Sequence, residues 1–427
     1  MMTACEVDTL VEIVEISKPI SEHIQEKIED YENDVNPFFI GDLGDIINKH
    51  KTWKKIFPRI EPFYAVKCND LGPVIKLMAD MGLSFDCASM IEIEKILKLG
   101  VDPSRIIYAN PCKQASFLVY ARNEGVSMMT FDNEDELWKI KRDYPDARLV
   151  LRIYTPCKYK LTTHLSKKFG CHHTKSRHLL EVAKKLGLNV IGVSFHVGYG
   201  CREAGAFEDA ICLARAVFDE GIDVGFNMTL LDIGGGIPGK QIPNFSFEKM
   251  AEGINQSLDR YFPQRNIRII AEPGQYYVAS AFSVATNIIG KRIVHDYERN
   301  EKIISKPSVG ADKQVFMYYV NDGLHGNFHV AYRDPGCYIP SHFKPSDRCL
   351  YNSTVWGPTC DSDDIIIENN QLPEHNVGEW LYFMNMGAYT FTIASRFNGM
   401  QSVKQNFICE RNLWEEVYTD IAEKPVR

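Results

Sequence analysis

A single lysine stands at the end of one of the apolar runs in the chain. Lys67 follows FYAV in the segment FYAVKCN, and burial of an ammonium group is costly. Burial would favour the neutral amine, a nucleophile that can form an imine with an aldehyde. An ion pair with a carboxylate such as Asp86 is the alternative role for this lysine.

A glycine-rich stretch follows a second apolar run. GGGIPG at 234–239 has the spacing of the dinucleotide-binding motif. That motif must open a helix, which Pro238 and the following GKQIPNF do not do. The stretch fits better a nest of backbone N–H groups that binds one phosphate. A tight turn without a ligand is the other possibility.

Three further residues have a chemical and a structural interpretation. Glu272 in AEPG could keep a pyridine nitrogen protonated, or form an ion pair at a strand end. His196 in SFHVG could stack on an aromatic cofactor, or be a core residue. Cys360 in WGPTCD could donate a proton to a carbanion, or be a buried thiol. No zinc-type ligand spacing is present, so no metal site is expected.

Eight apolar runs alternate with amphipathic segments and would position these residues. The runs fall at 62–68, 83–89, 105–111, 127–132, 148–154, 190–197, 230–236 and 267–274. This count is typical of an α/β fold of the (β/α)8 TIM-barrel type. A doubly wound sheet, the alternative, usually has fewer units. Polar residues at the strand ends of a barrel meet at one face, which predicts an enzyme active site there.

The residue pattern of the sequence changes after about residue 282, where short β-rich segments are separated by Pro, Gly and Asn. We therefore predict three parts. Residues 1–37 form an N-terminal segment that packs with the β domain, 38–282 form the barrel, and 283–427 form a β-sandwich-like C-terminal domain.

Composition excludes several classes of protein. The 427 residues carry a net charge of −8, which disfavours nucleic acid and anionic membranes as partners. No apolar run has the length needed to cross a bilayer. The N-terminus lacks the basic and apolar regions of a signal peptide, and the twelve cysteines show no CxxC pair. A cytoplasmic protein with reduced thiols is expected.

Several stretches together resemble the eukaryotic ornithine decarboxylase family, whose members use pyridoxal 5′-phosphate (PLP). The resemblance spans about residues 36–410 and rests on PFYAVKCND, FDCAS, YANPCKQ, VSFHVGYGC, LLDIGGGIPG, IIAEPGQYYVASAF, YYVNDG, WGPTCD and NMGAYT. It implies a PLP-binding barrel, a C-terminal β domain and a head-to-tail homodimer whose two active sites lie between the subunits.

The resemblance also implies a role for each site residue. Lys67 would hold PLP covalently beside Asp86, His196 would stack on the ring, and Glu272 would pair with the pyridine nitrogen. The other cofactor-binding residues implied by the resemblance are Arg152, Tyr199, Gly234, Gly235, Gly236, Gln275 and Tyr389.

The substrate side of the site would be built by both subunits. Cys360 would reach in from the partner subunit and protonate the carbanion after CO2 leaves. Asp361, also from the partner subunit, and Asp334 match carboxylates that hold the distal ammonium group of ornithine in the family.

Two departures from the family pattern affect the phosphate. Tyr199 replaces a Ser, and Gln275 replaces an Arg. A charge-assisted hydrogen bond contributes roughly 1.5–3 kcal/mol. PLP should therefore be held less tightly, although Gln275 can still donate hydrogen bonds.

Other departures affect the substrate wall. The family has Tyr where this chain has His325, and Tyr where it has Arg333. Further replacements are His329 for Asn, Ser362 for Gly, and Arg396 for a small residue beside Phe397. Added positive charge near Asp334 and Asp361 would repel a substrate with a distal ammonium. If Arg333 and Asp334 lie in a strand, however, their side chains point oppositely.

These features predict a PLP-dependent α-decarboxylase with altered specificity toward a neutral apolar amino acid. The family includes a leucine decarboxylase, which this chain resembles more than the standard ornithine enzyme. Because Asp334 and Asp361 are retained, ornithine or lysine remains an alternative substrate.

A non-catalytic regulator of the antizyme-inhibitor type is the remaining alternative. The basic surface that binds antizyme in the family corresponds to about 115–140, where Lys and Arg are sparse, and this disfavours antizyme binding.

Overall fold

The computed structural model describes residues 11–16, 18–31, 34–156, 158–159, 161–163, 165–295, 314–341, 343 and 348–422. The chain divides into two compact units. The barrel unit contains Ile46–Val278 and the residues from Glu415 onward. The sheet unit contains the described residues before Ile46 together with Ala279–Trp414.

Eight parallel strands close the barrel, because the last strand pairs with both the seventh and the first. The strands are Ile60–Ala65, Ser84–Cys87, Ile106–Tyr108, Met128–Phe131, Arg148–Arg152, Asn189–Ser194, Leu230–Asp232 and Arg268–Ala271. A buried core cluster takes one side chain from each of seven strands: Phe63, Ile107, Met128, Val150, Ile191, Leu230 and Ile270. Strands that are buried on both faces explain the continuous apolar runs of the sequence.

Helices follow the barrel strands, as the amphipathic segments predicted. Those of the barrel unit are Gly72–Asp80, Met90–Leu97, Ala115–Asn123, Glu134–Asp143, His173–Lys185, Ala204–Val224, Phe247–Tyr261 and Gln275–Val278, and Leu43–Ile56 leads into the unit. Side-chain caps fix three helix starts: Ser89, Asn133 and Ser246 each accept a hydrogen bond from a backbone N–H in the first turn. None of the described helices is long and apolar enough to cross a bilayer.

The sheet unit contains a nine-stranded mixed sheet. Its strands are Val11–Val14, Phe38–Asp42, Phe282–His295, Gln314–Val320, Pro340–Ser341, Leu350–Trp356, Ile365–Pro373, Trp380–Phe383 and Lys404–Glu410. The long strand Phe282–His295 pairs through its first half with Phe38–Asp42 and Trp380–Phe383, and through its second half with Gln314–Val320. The predicted architecture, a parallel barrel plus a separate β domain, is confirmed.

The start of the described chain belongs to this sheet. Val11–Val14 runs parallel to Lys404–Glu410, and helix Ile20–Asp30 adds Ile24 to a core cluster with Phe38. Phe38–Asp42, which the sequence assigned to the barrel domain, pairs inside the sheet. Its apolar residues have the pattern of a barrel strand, and its pairing partners lie more than 200 residues away. The C-terminal helix is Arg411–Ala422, and residues 1–10 and 423–427 of the predicted domains lie outside the described residues.

Candidate active site

Lys67 lies just beyond the end of the first barrel strand. Strand Ile60–Ala65 passes into a single 3-10 turn, Val66–Cys68, which carries the lysine. Its ammonium forms an ion pair with Asp86 of the neighbouring strand. The side chain of Lys67 is 40% exposed and that of Asp86 is fully buried, so burial falls on the carboxylate and not on the lysine as the sequence suggested. Burial raises the pKa of Asp86, and the nearby lysine opposes that rise.

Two more carboxyl groups lie at neighbouring strand ends. Asp232 ends its strand, and its Oδ1 accepts a hydrogen bond of 2.8 Å from the N–H of Gly234. Burial raises the pKa of Asp232 to about 7. Burial, then the charges of Asp232 and Asp86, raise the pKa of Glu272 well above its ordinary value. In both groups burial favours the protonated form. Asp232 was missed in the sequence, although its position two residues before the first glycine of GGG was a usable signal.

His196 is neutral and held in one orientation. Its Nδ1 accepts a hydrogen bond of 3.0 Å from the N–H of Gly198. Burial, with the cations of Arg152 and Lys67, lowers the pKa of His196 to about 3. A Cβ atom on Gly235 would lie 2.9 Å from Nε2 of this ring. The imidazole therefore lies against the glycine stretch as an uncharged flat surface, which suits stacking on an aromatic ring.

The glycine stretch has the geometry of an anion nest. Gly234 and Gly236 have φ angles of 64° and 99°, in the left-handed region that favours glycine. A Cβ on Gly235 would approach the carbonyl oxygen of Glu272 to 2.7 Å. Among the described residues, no protein acceptor bonds to the N–H groups of Gly235 and Gly236. Successive free N–H groups of this kind suit a phosphate.

The remaining barrel residues surround this region. Arg152 ends strand Arg148–Arg152, and its guanidinium lies 5.4 Å from the ring centre of Phe169. The backbone N–H of Tyr199 donates to the carbonyl of Thr163 at 3.0 Å. Gln275 begins a short helix, and a Cβ on Gly239 would lie 1.8 Å from the carbonyl oxygen of Gln275. The helix start is therefore held against the glycine stretch.

In the sheet unit, His325 pairs with Asp361. Their Nε2 and Oδ2 atoms are 2.6 Å apart, and the ring centre of Phe397 lies 4.7 Å from that of His325. A hydrogen bond from the N–H of Asp363, and then His325, lower the pKa of Asp361. The thiol of Cys360 is exposed. The predicted residues Cys360, Asp361, His325 and Phe397 are thus neighbours.

Arg333 and Asp334 do not lie in a strand. They follow the 3-10 helix His329–Tyr332, so the expectation of opposite side-chain directions does not apply. Arg333 is exposed and Asp334 is half-buried, and neither forms an ion pair with another residue in the described part of the chain. Tyr389 is half-buried and has a φ of 55°. This backbone conformation is uncommon for residues other than glycine, and residues that adopt it are often found at functional sites.

Two buried aspartates of this unit were missed in the sequence. Asp322 accepts hydrogen bonds from the N–H groups of Gly323 and Asn327, and burial raises its pKa to about 6. Asp364 accepts from Leu324 and from Thr359. Both hold the loops that carry His325 and Cys360. The only signal in the sequence is their position in NDG and DSDD, beside turn-forming residues.

The barrel residues fit PLP. They provide an accessible amine beside a carboxylate, free N–H groups for a phosphate, a neutral flat ring, and a buried acid for the pyridine nitrogen. A fold of this type with these residues at the carboxyl ends of its strands defines a PLP-dependent enzyme.

Comparison with known proteins supports the same class. The family model for the pyridoxal-dependent decarboxylase, pyridoxal binding domain, matches residues 43–279. Ornithine decarboxylase of Rattus norvegicus is 49% identical over 387 residues, which cover 90% of this chain and 83% of that protein. Antizyme inhibitor 2 of Xenopus laevis is 49% identical over 411 residues, 96% of this chain and 88% of that protein.

A solved structure shares the fold. The arginine decarboxylase of Paramecium bursaria Chlorella virus, bound to agmatine, matches with a TM-score of 0.84 at 34% identity, covering 91% of this chain and 100% of that one. The chain therefore belongs to the pyridoxal-dependent decarboxylase family that includes ornithine decarboxylase. This confirms the resemblance seen in the sequence: the protein is a PLP-dependent amino-acid decarboxylase.

Proposed function

We propose that this protein removes the α-carboxyl group of a neutral apolar amino acid such as leucine and releases CO2 and a primary amine. The observation that carries the proposal is the cluster at the strand ends of the barrel unit, where Lys67 contacts Asp86 and burial raises the pKa of Glu272. PLP, when bound, would accept the electron pair that remains after CO2 leaves.

Lys67 would bind the aldehyde of the cofactor and later exchange it for the substrate amine. Its partial exposure leaves it accessible, and Asp86 balances its charge. Gly235 and Gly236 would bind the phosphate through their N–H groups, with Gln275 and Tyr389 assisting. The weaker phosphate site expected from Tyr199 and Gln275 remains part of the proposal.

Glu272 would hold a proton at the pyridine nitrogen, and the burial that raises its pKa favours this role. His196 would support the ring from one side without adding charge. The exposed thiol of Cys360 would deliver a proton from Sγ to the substrate Cα. In the family pattern this thiol would come from the partner subunit, so a homodimer with shared active sites belongs to the proposal, as does a cytoplasmic location.

Replacements in the sheet unit support a neutral substrate. Arg333 is an exposed cation directly before Asp334, and Phe397 is 45% exposed, leaving an apolar surface beside His325. Retention of Asp334 and Asp361 keeps ornithine or lysine, with a role in polyamine synthesis, as the second candidate substrate.

CO2 release from leucine, ornithine and lysine tests the proposal. We expect leucine to give the highest kcat/KM, and Lys67→Ala to abolish the activity. Lys76→Ala, which removes a lysine that bonds Asp80 on a barrel helix, is the matched control and should stay active. Faster turnover of ornithine or lysine than of leucine would contradict the proposed specificity.

A non-catalytic regulator is favoured by one observation, the 49% identity to antizyme inhibitor 2. Retained Lys67, Glu272 and Cys360 support catalysis instead. If the PLP-loaded protein released no CO2 from any of the three amino acids and bound antizyme tightly, the regulator would be favoured.

A further inference from the structure

We propose that His325 determines substrate specificity by acting as a permanent partner for Asp361. The imidazole occupies the carboxylate that would otherwise bind the distal ammonium of a diamino acid. This inference rests on the proposed function, because it assigns the choice of substrate class to one residue pair.

Each carboxylate oxygen of Asp361 already has one partner. Oδ2 lies 2.6 Å from Nε2 of His325, and Oδ1 accepts a hydrogen bond of 3.0 Å from the N–H of Asp363. The two side chains are 31% and 33% exposed, so a ligand can reach them. A distal ammonium would have to compete with the imidazole and with this backbone N–H for the carboxylate.

One buried carboxylate connects the loops that carry the pair. Oδ1 of Asp364 accepts from the N–H of Leu324 at 2.6 Å, directly before His325. Oδ2 accepts from the hydroxyl of Thr359 at 2.6 Å and from its N–H at 3.1 Å, two residues before Asp361. Asp364 therefore fixes the distance between the two loops.

Close packing around Asp364 reinforces this connection. A Cβ on Gly323 would lie 2.4 Å from Asp364 Oδ1, and a Cβ on Gly357 would lie 2.2 Å from the same atom. Only glycine fits at either place without displacing the carboxylate. The two loops are thus fixed by backbone contacts and not only by the His325–Asp361 bond.

The backbone that carries the imidazole is also anchored. The carbonyl of His325 accepts from the N–H of Ser395 at 2.9 Å and from its hydroxyl at 3.0 Å. Phe397 packs on the ring at 4.7 Å between centres. Little freedom is lost when the histidine bonds to Asp361, so the pair competes well against a mobile ligand ammonium. At this pair an apolar substrate side chain would meet two aromatic rings and a carboxylate that already has a partner.

Replacement of His325 by Phe tests this inference. The variant keeps an aromatic ring against Phe397 and frees Asp361. We expect kcat/KM for ornithine relative to leucine to rise by about tenfold or more, the effect of one charge-assisted hydrogen bond. Asp361→Asn combined with His325→Phe should abolish that rise. His178→Phe is the matched control, because His178 is an exposed histidine that pairs with Glu134 on the barrel unit, and it should leave the ratio unchanged.

Binding of a diamine gives an independent measurement. Calorimetry on the PLP-loaded protein should show that His325→Phe binds 1,4-diaminobutane about tenfold or more tightly than the wild type does. An unchanged substrate ratio and unchanged diamine affinity would overturn the inference. If no variant decarboxylates any amino acid but diamine affinity still rises, the proposed function fails, while the competition between His325 and a ligand ammonium for Asp361 is supported. His325→Leu repeats the test if the Phe variant does not fold.

Discussion

One amine and three carboxyl groups at the strand ends of the barrel unit have different protonation behaviour because their surroundings differ. Burial raises the pKa of Asp86, and its adjacent cation, Lys67, opposes that rise. Burial also raises the pKa of Asp232 and Glu272, neither of which forms an ion pair in the described part of the chain. The three carboxyl groups thus differ in whether a contacting cation opposes the effect of burial.

Gly235 provides a test of the phosphate cradle at the scale of one residue. The φ angle of Gly235 is one that alanine can adopt, because it is not in the left-handed region. Steric contacts with neighbouring atoms are therefore the only obstacle to alanine at this position. Gly235→Ala would push a methyl group against His196 and the carbonyl of Glu272, a strain of roughly 1–3 kcal/mol. We expect PLP to bind about tenfold or more weakly, measured by titration of the cofactor absorbance.

The matched control for that variant is Gly290→Ala in the sheet unit. Its Cβ would meet no atom closer than 3.4 Å, an ordinary contact with Tyr319. Cofactor affinity should stay at the wild-type value. Equal affinity in both variants and the wild type would show that the glycine stretch does not bind the cofactor.

The sequence predicted the residues that lie at strand ends, such as Lys67, His196 and Glu272. A polar residue directly after an apolar run can be recognised without knowledge of the fold. It also predicted positive charge near Asp361. It did not predict the bond from His325 to Asp361, since 36 residues separate them. Asp364 was missed because its role depends on backbone N–H groups in two different loops.

A buried ion pair connects neighbouring elements of the barrel. Lys113 and Glu136 have side-chain exposures of 0% and 2%, and their Nζ and Oε1 atoms are 2.8 Å apart. Lys113 also donates to the carbonyl of Thr130 at 2.6 Å. The lysine thereby links the loop after one strand to the next strand and to the helix that carries Glu136.

Glu136→Gln should destabilise the barrel unit, because it leaves the ammonium of Lys113 buried without a carboxylate. The cost expected for such a change is roughly 3–5 kcal/mol, seen as a lower thermal unfolding midpoint. Glu134→Gln, on the exposed side of the same helix, is the control and should change little. Similar midpoints for both variants would mean that the buried pair does not stabilise the fold.

Acid stability of the sheet unit should depend on Glu379. Although burial opposes it, hydrogen bonds from Arg348 and His375 lower the pKa of Glu379 to about 2. Its ordinary value is 4.5, so the carboxylate stabilises the fold above that pH and this contribution is lost as the pH falls toward 2. The unfolding-midpoint difference between wild type and Glu379→Gln should shrink across this window. A constant difference would contradict the pKa shift.

At the scale of elements, all eight barrel strands could be predicted, because parallel strands buried on both faces have continuous apolar sequences. The assignment of strand Phe38–Asp42 to the sheet unit could not be predicted. Its burial pattern is equally apolar, and only its pairing with Phe282–Ala285 and Lys404–Ile408 reveals the sheet to which it belongs. Such long-range pairing has no local signature.

At the scale of the whole molecule, the residues that we propose to be catalytic belong to different compact units. Lys67 belongs to the barrel unit and Cys360 to the sheet unit. If the active sites of a homodimer are shared, a Lys67→Ala chain mixed with a Cys360→Ala chain should regain activity, since one site of each mixed dimer has both residues. Random mixing predicts about a quarter of wild-type activity.

Each variant alone is the control in that experiment, and CO2 release is the measurement. Cys349→Ala, which removes another exposed thiol, should stay active alone. No recovery on mixing, under conditions where size measurements show that mixed dimers form, would contradict shared sites.

Borohydride reduction of the PLP-loaded protein tests the central claim most directly. If Lys67 binds the cofactor covalently, reduction should fix one cofactor per chain, and peptide mass spectrometry should locate it on Lys67. In Lys67→Ala the label should disappear, while Lys76→Ala should retain it. A label on another lysine, or a wild-type protein that remains colourless and unlabelled in excess PLP, would contradict the account.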